Sequence, residues 1–561
     1  MTIGITQGHQ LRVTIYRKPG KAPLVFGINS GIKDPYKDLR QVSIGRRMNQ
    51  PANVSVVVPG RRSAVGGLWS DEVTFGDWIR IDANVTRGKG GATQPWRTIF
   101  FGYVTGVEFG AQYNEEANED TIITAGCQLF WLTRNMTNYW LGIPGTFGSN
   151  DASERIRKLT NDGGQGALFS STAEALKIMF NSLIYTFFPM RRQLESGSLR
   201  WIDTHGYRFE SDRFVQGLNM EQFAPHASSW MQGIMDLVDM PHFYQIYCDV
   251  LPRTRILTGK GIHEQPKVGS LGFGSERSAK KDTGLIFPGD RADSIIVRPL
   301  PFPEYHEYGG YDSQAWDALP TFSELPHFGA MQLAMRKGGE DIYTYYSTTS
   351  IVGNGAEIAG VTLANSIATT IHDRDKHESL CGYAPLSVGT RRLPYAGTTE
   401  DERNGKTPSA SDVDDRISSY GEFLGFMNET LFSFHQFNDR FYTATHTGTI
   451  NLDLELGGRF RFDRGKMLGF IDGYTHTFTP TDATTVVSIT RALNVAAYQE
   501  ELPATMGIDK GGTRKRRDET LRPLKQSEVI LGADGKLTAA GGILSPNAPN
   551  SPNYGNTKAA P

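Results

Sequence analysis

The sequence has few cysteines, no excess of charge of one sign and no long apolar run. Its three cysteines, Cys127, Cys248 and Cys381, lie far apart and form no C-x-x-C pair, which argues against a disulfide framework and a thiolate zinc site. With 58 Lys+Arg against 60 Asp+Glu the formal net charge is -2. No overall field therefore draws the chain to nucleic acid or to an anionic membrane, and we expect buried thiols in a chain that folds in a reducing cytoplasm.

The chain also lacks the apolar segments that membranes require. No stretch of about 18 apolar residues occurs, and Met1 to Gln10 has no basic region followed by an apolar one, as a signal peptide would. We expect neither signal-peptide secretion nor membrane insertion. At 561 residues, the length predicts roughly three to four domains.

Glycine and proline are plentiful, at 62 and 28 residues, which is typical of short strands joined by turns and irregular connections. Alternating and β-branched segments predict two groups of strands. The first group comprises 11–16, 54–58, 78–84, 98–109 and 121–125, and the second comprises 449–454, 459–462, 467–476 and 485–491. The sequence therefore predicts an antiparallel barrel or sandwich at each end of the chain.

Three helices are predicted between these groups. Ser171 and Glu174 form a capping box ahead of an apolar stripe at 176–187. Ser229 with Gln232 repeats the capping signal, and Pro241 ends that helix. A third stripe with spacings of three and four runs through 412–438, and we expect it to cover the sheet that follows.

The fold class predicted is mainly β with α+β insertions, in which two antiparallel β domains flank a long middle region with helices. We expect a first β domain at 1–135 and a middle α+β insertion at 136–330. A connecting region at 331–410 could belong to the second β domain, which spans 411–502 with its preceding helix. The remainder, 503–561, is polar and predicts an extended or flexible C-terminal arm.

The two strand groups resemble one another in sequence. Segment 76–82 aligns with 457–463, and 101–106 aligns with 468–473. The paired positions are Gly76 with Gly457, Arg80 with Arg461, Asp82 with Asp463, Gly102 with Gly469 and Gly106 with Gly473. Glycines at these positions would let a strand bend or another backbone approach closely. An internal repeat is one interpretation, and chance similarity between two β-hairpins is the other.

The C-terminal segment resembles the baseplate hub family of contractile phage tails, which is related to the spike hubs of type VI secretion. The resemblance lies in the helix with Leu424, Leu431 and Phe434, the polar strand 448–454, the glycine turn and strand 469–476, and the threonine-rich strand after it. It implies two tube-like domains per chain, the first of them before Arg134.

The resemblance further implies a structural protein of the virion baseplate, made in the host cytoplasm. Three copies would form a homotrimeric ring that adapts a six-fold tail tube to a three-fold central spike and continues the DNA channel. The implied partners are the tail tube protein, the central spike protein, other baseplate proteins and, as a further candidate, the tape measure protein. From the near-neutral charge we hypothesise that strands facing the lumen carry little positive charge, so that DNA slides past.

Catalytic and metal-binding interpretations have weaker support. His372 to Glu378 gathers two histidines and three acids without the H-E-x-x-H spacing of a helical zinc site, so we expect a charged exposed segment. No G-x-S-x-G and no defensible carboxylate pair occur, so we expect no enzyme, no cofactor and no metal. A tail-associated peptidoglycan hydrolase and a tail-tip or receptor-binding protein of a non-contractile phage remain alternatives.

Three other features keep open interpretations. The basic run Arg514 to Arg517 could touch DNA or an acidic partner, or be a solvated linker. The glycine-rich segments 88–91 and 269–274 lack Walker and Rossmann spacing and predict hairpin loops. The aromatic residues between 302 and 316 predict either a docking surface or ordinary packing.

Overall fold

The computed structural model describes residues 8–17, 21–86, 96–112, 118–134, 229–252, 291–302, 318–324, 330–339, 341–350, 382–390 and 430–495, together with short pieces within 168–219, 262–264, 304–316, 357–372, 425–428 and 529–539. Two α-helices have defined bounds, α1 (Gln128–Arg134) and α2 (Trp230–Val238). Short 3-10 helices occupy Pro35–Lys37 and Trp69–Asp71.

The described part of the chain is mainly β. The first seven strands are β1 (Gly8–Tyr16), β2 (Leu24–Ile28), β3 (Gln41–Arg47), β4 (Asn53–Pro59), β5 (Trp78–Thr86), β6 (Arg97–Gln112) and β7 (Asn118–Gly126). The middle strands are β8 (Leu168–Phe169), β9 (His205–Phe209), β10 (Leu218–Asn219), β11 (Tyr244–Pro252), β12 (Ile262–Glu264), β13 (Arg291–Pro299), β14 (Glu304–His306) and β15 (Gly310–Asp312). Then come β16 (Thr321–Ser323), β17 (Ala330–Arg336), β18 (Tyr345–Ser350), β19 (Glu357–Ile358), β20 (Val361–Thr362), β21 (Thr369–His372) and β22 (Pro385–Thr390). The last are β23 (Tyr442–Thr449), β24 (Arg459–Phe462), β25 (Met467–Phe478), β26 (Ala483–Asn494), β27 (Val529–Leu531) and β28 (Leu537–Ala539).

Strands from both ends of the chain join in one 13-stranded sheet with the order β17-β23-β26-β25-β3-β4-β7-β6-β5-β1-β2. Strand β24 branches from β25 and pairs in parallel with β16. A 4-stranded sheet, β11-β13-β9-β12, belongs to the middle of the chain. The prediction of a mainly antiparallel β fold is confirmed, while the direct pairing of the two strand groups through β25 and β3 was not predicted.

Two apolar clusters lie beneath this sheet. The larger contains buried residues of the first strand group together with Ile234 of α2, Ile246 of β11 and Ile295 of β13. The second gathers around the buried rings of Phe460, Phe462 and Phe470. Complete burial of one such side chain contributes about 2–3 kcal/mol. The middle strands and α2 therefore share the core of the first group and are not an independent lobe.

Helix α2 forms as its sequence predicts. The Ser229 hydroxyl accepts a hydrogen bond from the Gln232 amide at 3.1 Å, and such a cap contributes about 1 kcal/mol. The helix ends at Asp239, which adopts a left-handed conformation with φ 50°, two residues before Pro241. Its start and its end are thus both confirmed.

Other predictions fared differently. The strand predicted at 449–454 is wrong: strand β23 ends at Thr449, and the chain turns where the Asp453 amide donates to Asn451 Oδ1 at 3.2 Å. The described positions between 425 and 435 of the third helix are helical. The helix predicted from Ser171, the loops 88–91 and 269–274, the segment 373–378 and the basic run from Arg514 lie outside the described residues.

Candidate assembly interface

The two strand groups have the same pairing order. Across the sheet, β5, β6, β7 and β4 follow one another in this order, and β24, β25, β26 and β23 do the same. The register of the first hairpin is also the same in both groups. The four paired positions are Trp78 with Tyr103, Ile79 with Gly102, Arg80 with Phe101 and Ile81 with Phe100 in one group, and Arg459 with Phe470, Phe460 with Gly469, Arg461 with Leu468 and Phe462 with Met467 in the other.

The aligned glycines occupy matching places in these hairpins. Gly76 and Gly457 both adopt positive φ, at 89° and 75°. The Gly76 amide donates to Val104 O at 2.9 Å, and the Gly457 amide donates to Ile471 O at 3.1 Å. The pairing with the next strand is interrupted just before Gly106 in β6 and just before Gly473 in β25, so each long strand has a β-bulge at the same place.

The aligned charged residues have different surroundings in the two groups. Arg80 Nε lies 3.0 Å from Asp82 Oδ2, and the Asp82 carboxylate is fully buried. Arg461 is exposed, and Asp463 lies in a turn with φ 51°. At these aligned positions the first group has a buried ion pair, whereas the second group has an exposed hairpin turn.

Gly102 and Gly469 are positions where a side chain would not fit. A Cβ at Gly102 would lie 2.2 Å from Gly126 O, and one at Gly469 would lie 2.4 Å from Ile489 Cγ2. At Gly106 and Gly473 a Cβ would come within 2.9 Å of Thr124 Oγ1 and of Arg46 O, respectively. These glycines allow neighbouring strands to approach closely.

We predict that Gly102→Ala lowers the free energy of unfolding by about 3 kcal/mol, because the added methyl group must displace backbone. Gly110→Ala on the same strand is the matched control, since no atom lies within 4 Å of its Cβ position, and it should change stability by less than about 0.5 kcal/mol. Guanidinium unfolding followed by tryptophan fluorescence measures both. Equal midpoints for the two variants would contradict the packing described for Gly102.

The two groups meet at a seam, defined here as the antiparallel pairing of β25 with β3. Its six residue pairs run from Gly473 with Arg47 to Phe478 with Val42. Beyond the strands, the His9 ring lies 2.7 Å from Thr479 O, and Asn29 Nδ2 donates to Pro480 O at 3.2 Å. The seam makes one continuous sheet out of segments more than 400 positions apart in sequence.

Arg46 lies beneath the seam with its guanidinium buried. It donates to Cys248 O at 2.6 Å and to Ile99 O at 3.2 Å, and its Nε is 3.4 Å from Asp249 Oδ1. Burial alone would lower the Arg46 pKa, but attraction to Asp249, together with Tyr474, Asp293 and Cys248, outweighs burial and raises that pKa. Asp249 also accepts hydrogen bonds from the Tyr474 hydroxyl at 3.0 Å and from the Leu456 amide at 2.9 Å.

This buried network therefore connects three parts of the chain: β3 from the first group, β11 from the middle, and β25 with the loop before β24 from the second. Asn49 forms two hydrogen bonds with β11. Its backbone amide donates to Ile246 O at 2.8 Å, and its side-chain oxygen accepts from the Ile246 amide at 2.9 Å. Arg298 of β13 donates to Gly457 O at 2.7 Å. Such satisfied buried networks hold neighbouring elements in one relative arrangement.

Two cysteines that are distant in sequence lie together beside Arg46. Cys127 accepts a hydrogen bond from the Ala52 amide at 3.2 Å, and Cys248 donates to Asp293 Oδ1 at the same distance. Both are buried free thiols. Burial and the nearby Asp293 raise the pKa of Cys248 well above its ordinary value, and burial raises the pKa of Asp293 to about 6 although Arg46 opposes this. The Cys248 thiol therefore stays protonated and is a packing group, not an accessible nucleophile.

A cleft beside β23 and β24 brings a histidine and a carboxylate together, as a catalytic pocket could. It has an empty volume of about 270 Å³, and it is lined by Glu324, His446, Asn451 and Thr485 among others. His446 Nε2 lies 3.3 Å from Glu324 Oε2, and burial lowers the His446 pKa although Glu324 opposes this. The Thr485 hydroxyl already accepts from the Asn451 amide at 3.0 Å and lies 2.9 Å from His476 Nδ1, so the lining serves local structure.

His476 makes the stability of the second group sensitive to acid. Burial lowers its pKa from 6.5 to about 3, with Asp249 opposing and Arg46 assisting. The unfolded chain therefore binds a proton below about pH 6.5 that the folded chain does not bind until about pH 3, and stability falls as pH falls through this window.

Between pH 7 and pH 5 we predict that the wild type loses about 2 kcal/mol more than His476→Asn, in which asparagine can still bond Thr485. Denaturant titrations of both proteins at the two pH values measure this difference. If both lose the same amount, His476 is not held neutral by the fold.

The sheet face turned away from the core is rich in hydroxyl groups. Buried and more exposed residues alternate along β3, β4, β23 and β26. The hydroxyl-bearing positions on the outer side are Ser43, Ser55, Thr124, Thr443, Thr445, Thr447, Thr475, Thr477, Thr484 and Ser488. Charged side chains also occur on this face, for example Arg47 at the end of β3 and Glu108 on β6.

Among the described strands, β17 and the second half of β6 each pair with another strand on one side only. Strand β17 is terminal in the order of the described strands, and its Met331 and Met335 are 56% and 45% exposed. The pairing of β6 with β5 stops at Tyr103, so among the described strands residues 106–112 pair only with β7. Strand edges with apolar residues are surfaces for association with another chain.

The remaining expectations concern the aromatic residues between 302 and 316, metal binding and membrane insertion. Phe302 and Trp316 pack inward, with ring centroids 5.2 and 6.4 Å from that of Phe470. Within the described residues, no group of three or more His, Cys, Asp or Glu is placed to hold a metal ion. No helix in the described ranges is long and apolar enough to cross a membrane.

No protein-family model matches the chain, and no curated protein matches it either. Solved structures similar to it include tail or baseplate proteins of phages and spike-related components of type VI secretion systems.

Three of these structures give the range of similarity. A 43 kDa prophage tail protein from Shewanella oneidensis has 11% identity and a TM-score of 0.38, over 86% of this chain and 98% of that one. A tail protein from Neisseria meningitidis has 7% identity and a TM-score of 0.37, over 86% and 96%. A type VI secretion component from E. coli has 9% identity and a TM-score of 0.31, over 83% and 76%.

Proposed function

We propose that this chain is a structural baseplate hub subunit of a phage tail, three copies of which form a ring between the tail tube and the central spike. One observation carries the proposal: a single chain holds two strand groups with the same pairing order and register, joined edge to edge at the seam of β25 with β3. We interpret the paired glycines, Gly76 with Gly457 above all, as marks of an internal duplication.

A duplicated domain would let a trimer match the symmetries of both the tube and the spike. An adaptor that presents six similar surfaces on one side and three on the other lets a six-fold tube meet a three-fold spike. Three chains, each with two tube-like domains, meet this requirement. On this proposal 1–135 and 411–502 are the two tube-like domains, the connecting strand β17 completes the second, and 136–330 is an insertion that holds them together.

The hydroxyl-rich sheet face suits the lining of a DNA channel. Lysine and arginine are the residues that neutralise phosphates and hold DNA. Serine and threonine hydroxyls are neutral, so a face built mainly from them would stay hydrated and bind the phosphate backbone weakly. We therefore propose that this face lines the lumen and that DNA slides along it during ejection.

The hub would work by interface burial and shape, without catalysis. Its buried polar groups at Arg46, Asp249 and Asp293 are engaged in bonds between parts of the same chain, as a rigid connector needs. Its partners would be two further copies of itself, the tail tube protein, the spike protein and neighbouring baseplate proteins. The site of action would be the tail baseplate of the virion.

Mass measurement of the purified chain, alone and mixed with the spike protein of the same phage, tests this proposal. We expect a particle of three times 62.0 kDa, formed either alone or on contact with the spike. A single-chain mass under both conditions would contradict the hub. Release of soluble fragments from peptidoglycan by the same preparation would favour the hydrolase alternative instead.

A further inference from the structure

The two strand segments that pair at the seam each have a counterpart in the other strand group. In the seam, the part of β25 that follows its bulge at Gly473 pairs with β3. Strand β6 has its own bulge before Gly106, and the segment that follows it pairs with no second strand among the described residues. That segment, 106–111, therefore corresponds to 473–478.

Strand β17 corresponds to β3 in the same way. Ser43 of β3 faces Ser55 of β4, which in turn faces Thr124 next to the first bulge. In the second group, the equivalent sequence of partners runs from Ala334 of β17 through Thr445 to Ser488, next to the second bulge. The segment that corresponds to 42–47 is thus 333–338.

We propose that the 106–111 edge of one copy pairs antiparallel with the 333–338 edge of the next copy, in the register of the internal seam. Gly106 would lie opposite Gly338, and Ala111 opposite Leu333. The inference rests on the proposed ring of three chains and specifies its contact. Three such pairings alternate with the three internal seams and close the ring, so that β17 and the 106–111 segment of β6 each gain a second partner strand.

The side chains that this register brings together are complementary. Phe109, which is half-buried on β6, would lie opposite Met335, which is 45% exposed. Exposed Glu108 would lie opposite Arg336 on the outer face. Cross-strand apolar and opposite-charge pairs each contribute about 0.2–1 kcal/mol. A slip by one residue would place Glu108 opposite Met335 in one direction, or Phe109 opposite Arg336 in the other, so the pattern favours one register.

A cysteine pair tests the register directly. Gly110 would lie opposite Ala334, and no atom lies within 4 Å of the Gly110 Cβ position, so Gly110→Cys and Ala334→Cys can both be made without a clash at Gly110. Directly opposed residues have Cβ atoms about 4.5–5.5 Å apart, which small movements bring within disulfide range. In a Cys381→Ser background, mild oxidation should yield covalently linked chains up to three copies, which a thiol reductant releases.

Two further variants calibrate this experiment. Ser43→Cys with Thr477→Cys, opposed across the internal seam, should close a disulfide within one chain and leave its mass unchanged. Gly110→Cys with Met335→Cys would place the two thiols on opposite faces of the sheet and should give few covalent multimers.

The outcomes separate the contact from the hub itself. If the Gly110→Cys and Ala334→Cys variant has a three-chain mass but forms no disulfide between chains, while the internal control closes, the pairing alone is contradicted. A single-chain mass with and without the spike, together with no linked chains, overturns the hub as well. Linked chains from the same variant, at a mass of three copies, support both.

Discussion

Replacing Arg46 by alanine is expected to lower the free energy of unfolding by about 3–5 kcal/mol, the cost of breaking a buried ion pair by removing one partner. The Asp249 carboxylate would remain buried with the hydrogen bonds from Tyr474 and Leu456 but without its cation. The carbonyls of Cys248 and Ile99 would each lose a donor. All three parts of the chain that meet beneath the seam are affected at once.

Arg47→Ala is the matched control for this prediction. Arg47 is the next residue of the same strand, its side chain is 63% exposed, and it bonds Asp472 at 3.2 Å. An exposed ion pair contributes about 0–1 kcal/mol, so its loss should barely move the unfolding midpoint. Guanidinium titrations of the wild type and both variants give the comparison, and similar losses from Arg46→Ala and Arg47→Ala would refute the role given to the buried network.

Met335→Asp is expected to weaken self-association by a factor of about 100 or more while leaving the folded monomer intact. At the proposed contact the new carboxylate would be buried against Phe109 of the next copy. Burying an unpaired charge costs several kcal/mol. A loss of about 2.7 kcal/mol already weakens association by a factor of about 100. In the separate chain the Met335 side chain is 45% exposed, so the substitution removes little from the core.

The control for this second prediction is Val65→Asp, which introduces the same charge at a loop position that is 100% exposed. Sedimentation velocity over a range of concentrations, with the spike protein present, measures association of all three proteins. We expect the wild type and Val65→Asp to form trimers and Met335→Asp to stay monomeric. Trimers of Met335→Asp with wild-type affinity would exclude β17 as the contact edge.

The sequence predicted those elements whose signals are local. The cap at Ser229 and the stop at Pro241 located α2, and period-two alternation located β4, β5 and β24 close to their observed bounds. The strand expected at 449–454 failed, because the threonine-rich alternation lies before residue 449 and Asn451 turns the chain. Polar alternation on an outer sheet face is a weaker signal than an apolar run.

The seam and its buried network were not predictable in the same way. Arg46 and Cys248 are 202 positions apart, and neither has a local pattern that distinguishes it from an exposed arginine or an isolated thiol. Strand β3 was missed, and with it the edge that pairs with β25. The glycine alignment did identify the hairpins where the two groups correspond, because close backbone approach leaves a local mark that a side-chain network does not.

An image of the tail tip in the assembled particle tests the central claim most directly. The account predicts three copies of this chain in one ring, with six similar β units against the tube, three-fold contacts with the spike, and a sheet that continues from β6 of one copy to β17 of the next. Six copies in the ring, or copies placed at the periphery of the baseplate away from the DNA channel, would contradict it.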